Sequence, residues 1–459
     1  MRRRGLRAAA ASSADVTAAL VRSLARLKQF ENLPRLSKSG EIDPLAPTRD
    51  LLLRVRNPER CFRAVHVTGT KGKGSVCALV ESALHGAGWR VGRYGSPHVQ
   101  RINERVSLSC REVDDGSLAH ALNQSLEARE AAYCAGTSGA RAGWFELLTV
   151  AAFIVFRDAG VEWAIVEVGI GGRCDPTNVI DGEVAVVTNV ELEHTDLLGV
   201  TRTQIAAEKA GIIKQGALVV TTLASSDEAG RVVAAHADNV AATMNQLNIE
   251  AGASMHATNL EIARAVLAAL GKRGVTNLND QRLLHADDLD GQAVDRATLP
   301  GRMERFSVLS PNGSRNVTVV LDGAHVAFAA KQALADTLDL TEHLGAPVVV
   351  VGMGADKNAW LLLGAMQGRV AHAICVPVPG SRDSVAAEVL AALGRRLGIK
   401  AEASAHPSMA LRRALALADR RWILVIGSLR LAGAMRELLL NSHAATTLAP
   451  ASHSLTAHV

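Results

Sequence analysis

The run Val65-His66-Val67-Thr68-Gly69-Thr70-Lys71-Gly72-Lys73-Gly74-Ser75 is a short β-branched strand that breaks into glycines and ends before a helix-like stretch from Val76 to Leu84. Such glycines let successive backbone N–H groups curl around a polyphosphate, the following helix offers its positive N-terminus, and a lysine at position 73 neutralises charge where β- and γ-phosphates lie. The chemistry indicated is triphosphate binding by this loop, with Lys73 as its cation. The loop is one residue shorter than Gly-x-x-x-x-Gly-Lys-Ser/Thr. By itself it also reads as a tight turn between a strand and a helix.

Other polar groups collect at the ends of apolar runs. Ser96-Pro97-His98 follows a short strand expected at Trp89–Gly92, where open parallel sheets bind ligands. Glu146 opens an otherwise apolar helix, either as a metal ligand or as a first-turn acid favoured by the helix dipole. Glu167-Val168-Gly169-Ile170-Gly171-Gly172-Arg173 ends a buried-type strand in glycines, so backbone must approach something closely. Glu191 to Asp196 then sets carboxylates beside His194, and Lys209 closes an amphipathic helix, where pattern alone makes it a solvated lysine.

These groups need a frame, and 459 residues with 48% hydrophobic content supply core for two domains. Strand-like runs at 64–67, 164–168, 184–187 and 217–221 alternate with helical patterns at 118–131, 145–157 and 203–213. A second alternating set follows Leu299-Pro300-Gly301, with strands near 317–321, 347–351, 372–376 and 422–426. The expected fold is α/β, with two mostly parallel, helix-covered sheets. The stretch 223–254 has little strand periodicity and is expected to lack strands. Residues 1–16 and 441–459 are expected to be disordered ends flanking domains at 17–298 and 299–440.

No apolar run reaches the roughly 18 residues that span a bilayer. Net charge is +5 from 50 basic and 45 acidic residues, with 3% aromatics, so no basic stripe or stacking platform favours nucleic acid. Six cysteines without Cys-x-x-Cys spacing suggest reduced thiols and a cytoplasmic chain. An acid-free, Arg/Ala/Ser-rich start keeps a mitochondrial address open if the source is eukaryotic.

Together, Gly69–Ser75, Ser96-Pro97-His98, Gly169–Arg173 with Asp175-Pro176-Thr177-Asn178, Glu193-His194-Thr195-Asp196-Leu197-Leu198-Gly199, Glu208–Lys214, Pro300-Gly301-Arg302 and Asp322-Gly323-Ala324-His325 resemble the folylpolyglutamate synthase and dihydrofolate synthase branch of the Mur ligase superfamily. The resemblance covers roughly residues 17–440. It implies a phosphate-loop central domain followed by a Rossmann-like C-terminal domain, and ATP-dependent joining of L-glutamate to a folate or dihydropteroate carboxylate through an acyl phosphate. It further implies two magnesium ions, with room for a monovalent cation, and a monomer. By the same resemblance Ser96, Glu146 and His194 bind magnesium, and Lys209 is a carbamylated metal ligand. The resemblance also implies that Lys71, Gly72, Lys73, Gly74 and Ser75 hold the triphosphate, that Asn259, Arg302 and Asp322 contact ATP, and that His325 helps close the site.

Three positions depart from the family pattern: Glu193 in place of Asp, Val326 in place of Asn, and Arg430 in place of Tyr. They leave a catalytically impaired nucleotide binder as an alternative. A Mur-type ligase for another carboxylate is a second. A nicotinamide enzyme is disfavoured, because Val351-Gly352-Met353-Gly354 has Lys357 where a third glycine belongs.

Overall fold

A computed structural model describes residues 13–31, 43–250, 252–310, 313, 315–418, 421–442 and 445–448. The first sheet contains β1 (Arg63–Thr68), β2 (Val91–Tyr94), β3 (Val106–Leu108), β4 (Arg111–Glu112), β5 (Trp163–Glu167), β6 (Gly182–Val187), β7 (Leu218–Thr221) and β8 (Thr243–Gln246), in the order β4-β3-β2-β5-β1-β6-β7-β8. The six strands from β2 to β8 in that order are parallel, and the β3–β4 hairpin lies antiparallel at one edge. The second sheet contains β9 (Glu304–Leu309), β10 (Asn316–Leu321), β11 (Val348–Val351), β12 (His372–Cys375), β13 (Ala401–Ala403), β14 (Ile423–Ile426) and β15 (Ala445–Leu448), in the order β13-β12-β11-β14-β10-β9-β15. Its last two strands are antiparallel.

Helices cover both faces of each sheet, so the central strands are buried along nearly their whole length. In β1, Val65 and Val67 pack against the helices Lys73–Gly86 and Met255–Lys272, while Ala64 faces the apolar helix Trp144–Asp158. Alternation repeats in the second sheet, where Val349 and Val351 face one layer and Val350 the other. The turn Leu299-Pro300-Gly301 leads from one sheet to the other, and Arg436 ties them again. Its guanidinium donates to Glu304 Oε1 at 2.8 Å beside that turn and to Gln100 Oε1 at 2.6 Å on the loop after β2.

Several sequence expectations need correction. Residues 223–254 hold a helix, Glu228–Asn239, and the edge strand β8, whose polar, half-exposed side chains hide its periodicity. The strand expected at 89–92 is β2 at Val91–Tyr94, because Trp89 is engaged outside the ladder by an indole bond to Thr276 O at 2.9 Å. Residues 13–16 belong to the helix Ser13–Lys28, and 445–448 form β15, so neither end is disordered throughout. Of those ends, 1–12, 443–444 and 449–459 lie outside the described residues. None of the six cysteines is in a disulfide, and no described helix is long and apolar enough to cross a membrane.

One buried group inside β1 gives a pH signature. Thr177 Oγ1 donates to Asp175 Oδ1 at 2.6 Å, so it accepts from His66 Nε2 at 2.9 Å, and His66 Nδ1 is buried without a partner. Burial, aided by Lys214, lowers the imidazole pKa to about 3. The unfolded chain therefore binds one more proton between about pH 6.5 and pH 3, and the stabilisation present above pH 6.5 is lost on acidification through that window. At pH 4.5 this amounts to roughly 2–3 kcal/mol. His66→Gln keeps a donor for Thr177 and should flatten the fall in urea midpoint between pH 7 and 4.5; an unchanged slope refutes the assignment.

Candidate functional site

The glycine loop leaves the C-terminal end of β1, the strand flanked by β5 and β6, and its shape is dictated by Thr188 and Asn189, which come directly after β6. Lys71 N–H donates to Asn189 Oδ1 at 2.9 Å, and Lys71 O accepts from Thr188 Oγ1 at 2.6 Å. Gly69 has φ 145°, and a Cβ there would lie 1.8 Å from Thr188 Oγ1. Gly72 has φ 84°, with space for a Cβ denied by Asn259 Oδ1 at 2.3 Å. As N-cap of the helix Lys73–Gly86, Gly72 provides no side-chain acceptor, so the first-turn amides are open to an anion. Lys73 Nζ spans the loop to Gly69 O at 2.8 Å.

The carboxylate beside this loop is Glu167, at the end of β5. It is only 6% exposed, its Oε2 accepts the Ser96 N–H at 2.9 Å, and it lies 3.4 Å from where a Gly74 Cβ would stand. Glu146, the carboxylate that the family resemblance groups with Ser96 and His194, accepts from Gly143 N–H at 3.1 Å in the capping box of its own helix. On its residues alone Glu146 reads equally as a metal ligand and as a first-turn acid, and its metal role comes from the family resemblance. The signal for Glu167 was equally present, as the polar end of a fully buried strand running into glycines.

His194 follows β6 in a left-handed conformation, φ 47°. Partial burial lowers its pKa, helped by Lys73 and Lys209 and opposed by Glu193 and Asp196. Lys209, which helical pattern alone would leave in solvent, has a side chain 1% exposed and Nζ 3.1 Å from Glu193 Oε1. Burial is the main cause that brings its pKa down to about 8. Lys73 and Lys71 reinforce the shift, and Glu193 opposes it. The glutamate that replaces the family's aspartate is thus the partner of the buried amine.

The second sheet contributes groups from the end of β10. Asp322 accepts from Met303 N–H at 3.1 Å and Ala324 N–H at 2.8 Å, and burial raises its pKa against the pull of Arg302. His325 lies with Nδ1 3.0 Å from Gly323 O. Lys71 responds electrostatically to Glu193 on its own side and to Arg302 and Asp322 on the other. A cavity of about 290 Å³ separates these groups, lined by Lys71, Gly72, Ser75, Asn259, Arg302 and Asp322 among others.

Such an arrangement can hold a polyphosphate between two cationic walls. Among the described residues no cluster of three His, Cys, Asp or Glu forms a protein cage for a metal. The Glu167 carboxylate and Ser96 hydroxyl do suit magnesium, which binds through one or two carboxylates and completes its shell with water and substrate phosphates. Val326 is the N-cap of the helix Ala327–Ala335 without a side-chain acceptor, and Arg430 stands in the first turn of the helix Leu429–Leu440 with its N–H on Ser428 Oγ. Both departures lie at helix starts outside the loop and the lysine cluster.

No family model matches the chain. It is 30% identical over 387 residues to the dihydrofolate synthase/folylpolyglutamate synthase of Escherichia coli, spanning 81% of this chain and 86% of that protein. Identity to the Mycobacterium tuberculosis protein of the same name is 31% over 418 residues, covering 82% and 83%. Among solved structures, M. tuberculosis folylpolyglutamate synthase complexed with ADP superposes with a TM-score of 0.75 at 27% identity, covering 92% of this chain and 99% of that one. The E. coli protein in complex with DHPP and ADP gives 0.70 at 26% identity, covering 91% and 97%.

Proposed function

Given that the chain belongs to the folylpolyglutamate synthase and dihydrofolate synthase family, we infer that it is an ATP-dependent ligase joining the amine of L-glutamate to a folate or pteroate carboxylate. The observation that carries this reading is the cavity with the phosphate loop on one wall and Arg302 and Asp322 on the other.

A carboxylate is a poor electrophile. Its oxygen attacks the γ-phosphorus of ATP, ADP leaves, and the acyl phosphate so formed is attacked at carbon by the glutamate amine. An amide bond forms, inorganic phosphate departs, and the ammonium proton is released. Two anions meet in the first step, so Lys73 and Lys71 offset their repulsion and stabilise charge on the transferring group. Arg302 from the second sheet adds charge over the nucleotide, and closure of the cleft keeps water from the acyl phosphate. Magnesium, when bound, neutralises phosphate charge; Ser96 and Glu167 would hold one ion, with His194 and a carbamylated Lys209 suited to a second.

Glutamate-dependent ADP release assayed with dihydropteroate and with tetrahydrofolate tests the function and separates the two acceptors. Release with neither overturns it.

The two carboxylates separate in the same assay. Glu167→Gln should raise the Mg²⁺ needed for half-maximal activity by about tenfold or more, as ligand-shell losses do. Glu146→Gln should leave the Mg²⁺ requirement unchanged and lower stability by no more than about 1 kcal/mol, as a helix-cap change does. The reverse pattern would restore Glu146 as ligand.

A further inference from the structure

Asp336 lines the same cavity but has no part in the chemistry above. It follows the helix Ala327–Ala335 of the second sheet, yet its Oδ1 accepts from Met255 N–H at 2.9 Å, the first residue of the helix Met255–Lys272 of the first sheet. The His256 N–H also bonds to it. Ser254, the N-cap, serves the next amide, Ala257 N–H, at 3.1 Å. The first amide of the helix is therefore met from across the cleft, with the His256 amide adding to the pull on the same carboxylate at the positive end of the helix dipole.

One turn further along that helix stands Asn259. It is buried, its Oδ1 has no hydrogen-bond partner, and that oxygen abuts Gly72 of the phosphate loop. The helix that backs the loop is thus capped by the opposite half of the molecule. Burial, reinforced by the neighbouring Asp322, raises the Asp336 pKa to about 6. Burying this charge is unfavourable unless the Met255 and His256 amides meet it, so the contact favours the closed arrangement of the two sheets.

We propose that Asp336 is a positioning residue for the nucleotide: its carboxylate docks on the start of the helix Met255–Lys272 and thereby holds Asn259 against Gly72, coupling closure of the two halves to ATP affinity. The inference rests on reading the glycine loop as the nucleotide site.

The test uses the full-length protein, with calorimetric titration of ADP and steady-state ADP release as readouts. Asp336→Ala should weaken ADP binding and raise the KM for ATP about tenfold, with kcat changed less than about twofold. Asp336→Asn, which retains an acceptor oxygen, should recover most of the affinity, whereas Asp336→Ser, too short to reach the Met255 amide, should behave like the alanine variant and stands in for it if that variant folds poorly. Unchanged ADP affinity in the alanine or serine variant, or a loss of kcat at constant KM, overturns the proposal. Lys73→Ala, titrated in parallel, distinguishes the two levels. If it binds ADP like the wild type, the nucleotide-loop reading fails together with the proposal. If only the Asp336 variants are unaffected, the proposal alone fails.

Discussion

Lys73→Ala lowers ATP-dependent turnover by about 10²–10³-fold or more, the range seen when one charge-stabilising group is removed from a transferring centre. The side chain is half-buried, and its one hydrogen bond, to Gly69 O, is local to the loop, so thermal stability should change by no more than about 1 kcal/mol. Steady-state ADP release and a melting curve on the same preparation check both halves. A variant that keeps near-wild-type turnover would sink the phosphate-loop assignment.

Lys209→Ala is expected to be as damaging to activity, for a different reason. An ammonium buried beside Lys73 and Lys71 is disfavoured, whereas the free amine, made more abundant by a pKa near 8, attacks CO₂ to form a carbamate and release one proton. The product is an anion suited to a metal and to the same two lysines. Removing the lysine abolishes that ligand and leaves the largely buried Glu193 without its partner, so a melting curve on the same preparation separates loss of the ligand from loss of the fold. Acetate or formate, filling the space with a carboxylate, should restore part of the rate. The direct measurement is ¹³C NMR at neutral pH with labelled bicarbonate, where the wild type should show a carbamate resonance that Lys209→Ala lacks. An unmodified ammonium at Lys209 in a crystal complex with magnesium and an ATP analogue would refute the idea.

What was legible in the sequence was whatever local chemistry dictates. Glycines around Lys71 and Lys73 can serve few purposes, and the buried strands β1, β5, β6 and β14 announce themselves as short apolar runs. The choice between Glu146 and Glu167 was not legible, since it turns on strand order: β5 lies between β1 and β2, so its last residue meets both the glycine loop and Ser96. Burial of Lys209 was hidden because helical periodicity cannot show what packs against a helix end. Asp336 and Met255 lie 81 positions apart and on different sheets, so their contact exists only in three dimensions. Edge strands escaped for the opposite reason, since β8 and β15 carry polar side chains and take their conformation from a neighbour's backbone.

Borrowed geometry of this kind finishes the second sheet. Ala445 to Leu448 pair with Val308 back to Arg305, so the row of N–H and C=O groups that β9 would otherwise present to solvent is saturated by the chain's own least patterned segment. A free, paired-on-one-side β9 would be a template for any extended peptide, including a second copy of itself. The segment acts as a selvedge: its backbone closes β9 while Thr447 and Leu448 face the cavity, and shortening it would open both at once.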